Sequence, residues 1–118
     1  MVRGGSKPSA QGRIWIDGPE GTLFGWGRVT LLERIRKHGS ITKAARSMNM
    51  AYRHAWDLVA SMNRQSKKPL VVATAGGRGG GGARLTEEGE KAIRLFRRFA
   101  RDFYAFLEHE REKLRFSD

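Results

Sequence analysis

Gly76–Gly82 (GGRGGGG) is glycine at six of seven positions. A stretch with so few side chains cannot join a packed core, so it must be a flexible surface loop. Its flanks decide what kind. Leu70–Thr74 (LVVAT) is β-branched and reads as a strand, and Ala83–Leu85 as a short returning strand. Together they predict a glycine-tipped β-hairpin, and the segments before and after it both carry helical patterns.

Upstream, Met1–Gln11 is polar and rich in Gly, Ser and Pro, so residues 1–12 are expected to form a disordered leader. It has no apolar signal-peptide core. Arg13–Asp17 (RIWID) alternates as a strand does, and Gly18-Pro19-Glu20-Gly21 breaks it. A helix is expected from about Phe24 to Lys37, with Val29, Leu31, Leu32 and Ile35 as its apolar stripe. Arg36, Lys37 and His38 suit its carbonyl end, and Gly39 ends it. Ser40 reads as the N-cap of a short helix over Ile41–Met48. Asn49 tolerates a left-handed turn, and a third helix follows over Ala51–Arg64 with Ala55, Val59 and Met62 on one face. Short helix, four-residue turn and longer helix make a helix-turn-helix pattern.

Downstream, Thr86 is an N-cap candidate. Glu87 and Glu88 suit the positive end of a helix expected to reach about Arg115. Ile93, Phe96, Ala100, Phe103, Leu107 and Leu114 recur at spacings of three and four, with Glu110 as the interruption. Ala92, Phe99 and Phe106 widen the stripe beyond what three short helices can cover. Pairing with the same helix of a second chain would bury it, so a homodimer through residues 86–115 is expected. The fold class is therefore mainly α with a small β-hairpin wing (α+β): a winged helix-turn-helix over residues 13–118 with a long C-terminal dimerisation helix.

Charge points to a partner. The chain has 23 Lys+Arg against 12 Asp+Glu, net +11. Through Leu85 there are 15 basic residues and four acids (Asp17, Glu20, Glu33, Asp57), which is the whole excess; from Thr86 onward the charges balance. A basic block before a neutral one suggests a polyanion-binding unit joined to an element with another task. In a helix-turn-helix, the start of the third helix enters the DNA major groove. Ala51, Tyr52, Arg53, His54, Trp56 and Asp57 would sit there. Arg53 can bind guanine bidentately, and Tyr52 and Trp56 can pack on a thymine methyl, although Trp56 could equally brace the helix half-buried. Ser40, Thr42 and Lys43 are placed for phosphate contact, as are Arg64, Lys67 and Lys68 before the wing. Arg78 supplies charge at its tip.

Other chemistries find little support. Gly77, Gly79 and Gly82 satisfy G-x-G-x-x-G, but that fingerprint must pass from a strand straight into a helix, and here a second strand intervenes. The absence of cysteine removes disulfides and thiolate chemistry. His38, His54 and His109 have no ligand spacing, so no metal and no cofactor are expected, and no acid pair or nucleophile triad suggests an enzyme. No apolar run is long enough to cross a membrane, so a cytoplasmic, nucleoid-associated protein is expected.

The segments GSITKAARSMNMAYRHAWDLVASMN and KPLVVATAGGRGGGGARLTEEG strongly resemble the N-terminal DNA-binding domain of the ModE family of molybdate-responsive transcription regulators. Gly39-Ser40-Ile41, Ala44-Ala45, Tyr52, Ala55-Trp56-Asp57, Met62-Asn63, Gly76 to Ala83, and Leu85-Thr86 with Gly89 carry the resemblance, over about Arg13 to Leu107. The helix-turn-helix is more distantly similar to that of LysR-type regulators. The resemblance implies sequence-specific double-stranded DNA binding and dimerisation. Full-length ModE proteins continue into a molybdate-binding module, whereas this sequence stops at Asp118, so oxyanion sensing is not carried over. Control would then come from expression level or a separate effector-sensing partner protein. Ala51 stands where the family commonly has Ser, which removes one possible DNA hydrogen bond. A nonspecific architectural DNA-binding protein, or a nucleotide-binding protein using the glycine loop, are the alternative readings.

Overall fold

A computed structural model describes residues 8–77 and 80–114. Met1–Lys7 of the expected leader and Arg78 at the expected wing tip lie outside the described residues. The element order is β1 (Ile16–Gly18), β2 (Gly21–Phe24), α1 (Trp26–His38), α2 (Ile41–Ser47), α3 (Tyr52–Gln65), β3 (Val71–Gly77), β4 (Gly80–Leu85) and α4 (Glu87–Arg111). The chain forms two compact units. One is Trp15–Phe96; the other comprises the described residues up to Ile14 together with those from Arg97.

In the larger unit, Val29, Leu31, Leu32 and Ile35 of α1 are wholly buried. They pack in a core with Ala44, Ala55, Val59, Met62, Leu70, Val71, Ile93 and Phe96. Each such Leu or Ile contributes about 1.5–3 kcal/mol when removed from water, so this core dominates the unit's stability. The Trp26 ring meets Phe96 edge-on, with centroids 5.1 Å apart. α1 ends as expected at Gly39, whose φ of 70° is left-handed and whose amide donates to the Ile35 carbonyl at 2.8 Å.

Four local expectations are corrected. Phe24 does not open α1; it is buried at the end of β2, which pairs antiparallel with β1 in the register Ile16↔Phe24 and Gly18↔Gly21. Extended Gly25 then delays the helix to Trp26. The first strand starts at Ile16, leaving Trp15 outside it and exposed. The wing strands run into the glycines, β3 to Gly77 and β4 from Gly80, because a backbone ladder needs no side chain. Finally, α4 ends at Arg111. Single turns follow, with the Lys113 amide on the Glu110 carbonyl and the Leu114 amide on the Arg111 carbonyl, so Leu114 is not on the helix.

The wing hairpin is anchored at its root. β3 and β4 pair antiparallel from Val71↔Leu85 to Thr74↔Gly82. The Ala83 amide donates to the Gly39 carbonyl at 3.0 Å, joining β4 to the corner between α1 and α2. Thr86 accepts the Gly89 amide at 3.1 Å as the N-cap of α4, and its hydroxyl donates to the Pro69 carbonyl at 2.7 Å.

In the smaller unit, Gly12 lies against the Phe103 ring. Residues 8–15 carry no helix or strand.

Candidate nucleic-acid interface

α2 and α3 are joined by a tight corner at Met48–Ala51. Met48 and Met50 both donate to the Ala45 carbonyl, and Asn49 takes the left-handed conformation with φ 53°. The Ser40 hydroxyl accepts the Lys43 amide at 3.1 Å, so its oxygen caps α2 while its proton stays free to donate outward. Ala51 occupies the N-cap of α3 with no side-chain hydrogen bond. Thr42, Lys43, Tyr52, Arg53, His54, Trp56 and Asp57 are all exposed here, while Ala55 between them is buried. Tyr52 is 53% and Trp56 41% exposed, and their rings meet edge-on at 6.1 Å. Trp56 thus stands exposed beside Tyr52 at the groove.

Ser40, Thr42, Tyr52 and Trp56 line one groove of about 500 Å³ together with Val59, Asn63 and the wing residues Ala73, Gly81 and Gly82. The corner of the helix-turn-helix forms one wall and the wing the other. Arg53 has no hydrogen-bond or ion-pair partner among the described residues, and the same holds for the Lys67 and Lys68 side chains. None of the three lines the groove; Arg53 stands next to Tyr52 at the start of α3, where an unpaired cation suits a polyanion.

Not every expected residue gathers here. Arg64, about 18 Å along α3 from Tyr52 at 1.5 Å per residue, bonds Glu20 at 2.8 Å. Lys67 and Lys68 are exposed beyond α3 and do not line the groove. Of the residues expected at a dimer face, Ile93, Phe96 and Ala100 are 4%, 0% and 1% exposed and already enclosed by their own chain. Phe103 and Leu107 are half-buried, while Leu95, Tyr104 and Phe106 carry the exposed apolar surface of α4.

Three residues that the sequence left without a role tie the elements together. Asn63 bonds the start of β3. Gln65 receives the Glu20 amide and donates to the Thr22 carbonyl, both at 3.0 Å, which fixes the β1–β2 hairpin to α3. Arg28 donates to Ser61 at 2.9 Å, and burial lowers its pKa from the ordinary value. The Gln65 and Arg28 contacts span more than thirty residues and those of Asn63 seven or eight, and neither periodicity nor composition signals any of them.

Helix-turn-helix, antiparallel hairpin and following helix define a winged helix-turn-helix protein. The profile of the bacterial regulatory helix-turn-helix proteins of the lysR family matches residues 26–90, and the chain belongs to that family. It is also similar to the molybdenum transport protein ModE of Azotobacter vinelandii, 37% identical over 102 residues that cover 86% of this chain and 38% of the relative. The molybdenum-pterin-binding protein MopA of Rhodobacter capsulatus is 47% identical over 61% of this chain and 27% of its own length. The DNA-binding transcriptional dual regulator ModE of Escherichia coli K12 is 42% identical over 58% and 26%. The aligned part of this chain thus spans between a quarter and two fifths of those relatives. No helix among the described residues is long and apolar enough to cross a membrane, and they contain no cluster of three or more His, Asp or Glu able to hold a metal.

Proposed function

We propose that this chain is a sequence-specific double-stranded DNA-binding transcription regulator, not an enzyme, that works in the cytoplasm and reads an inverted repeat as a homodimer. The observation that carries the reading is the groove, where the exposed start of α3, the capped start of α2 and the wing converge, with exposed Arg53 next to groove-lining Tyr52 in the chain. A helix of this width fits the major groove, with hydroxyls, amides and wing backbone left for phosphates. Ser40, Thr42 and Lys43 contact phosphate, Tyr52, Arg53, His54 and Trp56 face base edges, and Lys67, Lys68 and Arg78 supply further backbone charge. Ala51 contributes only its methyl group, and the Glu20 bond makes Arg64 a weaker phosphate contact. The nucleotide-binding alternative loses support because β3 runs into β4 and not into a helix.

Selection of bound duplexes from a random pool, followed by titration of the winning sequence, tests the reading. Arg53→Ala should cost ~1–3 kcal/mol and relax preference at one base position. Arg78→Ala should weaken binding to all sequences alike and lower its salt dependence. Equal affinity for every duplex would leave an architectural protein; unchanged binding in both variants would remove this placement of the DNA surface.

We infer that assembly uses the apolar side chains that α4 leaves exposed, Phe106 above all, with half-buried Phe103 and Leu107 on the adjoining flank. Phe106, 57% exposed, probes it more cleanly than Phe103, which also packs on Gly12. Sedimentation at micromolar concentration should give twice the 13.3 kDa chain mass, and Phe106→Glu should halve it. A monomeric wild type would end both the dimer and the inverted-repeat proposals.

A further inference from the structure

Among the described residues, one side chain of α3 hydrogen-bonds the root of the wing hairpin. Asn63 lies on the same row of α3 as Tyr52, Trp56 and Val59, at spacings of four, three and four, at the end of the groove. Its Oδ1 accepts the Leu70 amide at 2.8 Å and the Val71 amide at 3.2 Å, while its Nδ2 donates to the Val71 carbonyl at 2.9 Å. A carboxamide of this length offers its acceptor and its donor on two separate atoms, as this pairing requires: ionised Asp has no proton to give, and Leu has neither. The apolar residues beside it, Val59, Val71 and Ala73, are small and non-directional, so they permit sliding. The hydrogen bonds do not.

We propose that Asn63 is a positioning residue that sets the angle of the wing against the reading helix, so that both engage one DNA strand together. This rests on the DNA-binding reading above. The leverage is large. β3 has seven residues, Val71–Gly77, about 20 Å at ~3.3 Å each, so a ~10° rotation at its root carries its far end ~3.5 Å. A charge-assisted phosphate contact does not survive that displacement. β4 is tied separately through the Ala83–Gly39 bond, and Thr86 holds the hairpin root at Pro69 and Leu70, so loss of Asn63 would release only the α3 side of β3 and let the strand tilt about that root.

Gln65 provides a matched control. Two residues further along α3 it makes a comparable set of bonds, but to the β1–β2 hairpin and Ser61, and it does not line the groove. The full chain has no cysteine, so Val72→Cys, at a strand position between groove-lining Val71 and Ala73 that does not itself line the groove, creates a unique attachment point for an iron chelate that cleaves nearby DNA sugars. On the selected duplex, Asn63→Ala should broaden the cleavage pattern and lower the salt slope by about one phosphate. Gln65→Ala should lower the thermal midpoint but keep both readouts. Wild-type cleavage and slope in Asn63→Ala, or equal changes in Gln65→Ala, would overturn the proposal. Should Asn63→Ala fail to fold, hydrogen exchange on the wild type decides: Leu70 and Val71 amides should gain protection on adding duplex, and unchanged protection would refute the coupling. A wild type that binds no duplex defeats the DNA reading itself, a result seen before any variant is made.

Discussion

Gly89→Ala should lower the thermal midpoint by on the order of 10 °C or more, although alanine is the better helix former. Propensity alone would favour alanine by ~0.5–1 kcal/mol. A Cβ at position 89, however, would collide with the Leu70 carbonyl oxygen and come within 3.2 Å of Leu85 Cβ. The Leu70 oxygen cannot retreat, since it accepts the Thr86 amide at 2.9 Å, and Asn63 holds the Leu70 amide. Nor can α4 move off, because Thr86 ties its first turn to Pro69. A collision between two fixed backbones of this kind costs ~2–4 kcal/mol, several times the propensity gain. Calorimetric unfolding measures it. A midpoint at or above that of the wild type would show that the close approach is not fixed.

Phe96→Ala should cost ~3–5 kcal/mol, a large share of a typical domain's ~5–15 kcal/mol. Phe96 is wholly buried and its ring receives Trp26 edge-on, so truncation leaves a cavity and removes that ring contact. The loss should appear in thermal unfolding. At low temperature, where the variant remains folded, its sedimentation should match the wild type. Dissociation without a loss of stability would return Phe96 to the dimer face suggested by its place in the helical stripe.

That stripe shows where the sequence was informative and where it was not. Spacings of three and four place Ile93, Phe96 and Phe103 on an α-helix, but one-dimensional periodicity cannot distinguish burial within a chain from burial between chains. It also continues past the point where hydrogen bonding stops, which is why Leu114 was assigned to a helix that ends at Arg111. Helix ends with local chemistry were legible: Gly39, Ser40, Asn49 and Thr86 act through neighbours one to four residues away, as their residue types require. β2 was not, because Gly-Thr-Leu-Phe is short and its stability comes from pairing with β1 and from Gln65, more than forty residues distant. In the groove, Tyr52 and Trp56 followed from the helix-turn-helix pattern. The bonds of Asn63 did not, since nothing in its neighbourhood distinguishes it from any solvated amide. The exposed ion pairs Arg36–Glu90 and Arg64–Glu20 each contribute ~1 kcal/mol at most, so missing them cost little in predicting the fold.

Ala51 bears on how such a protein would evolve. α2 and α4 each begin with a hydroxyl of their own accepting a backbone amide, whereas the reading helix begins with a methyl group. Serine at this position would steady the free protein by about 1 kcal/mol. On the DNA-binding reading proposed above, the amides it would satisfy face the duplex and are open to an acceptor on it. Ligand and cap are then competitors, and thermal shifts of Ala51→Ser should show a higher midpoint alone but a smaller increment on adding duplex. Adaptation to a hotter habitat and adaptation toward a tighter, more responsive switch would pull this one codon in opposite directions.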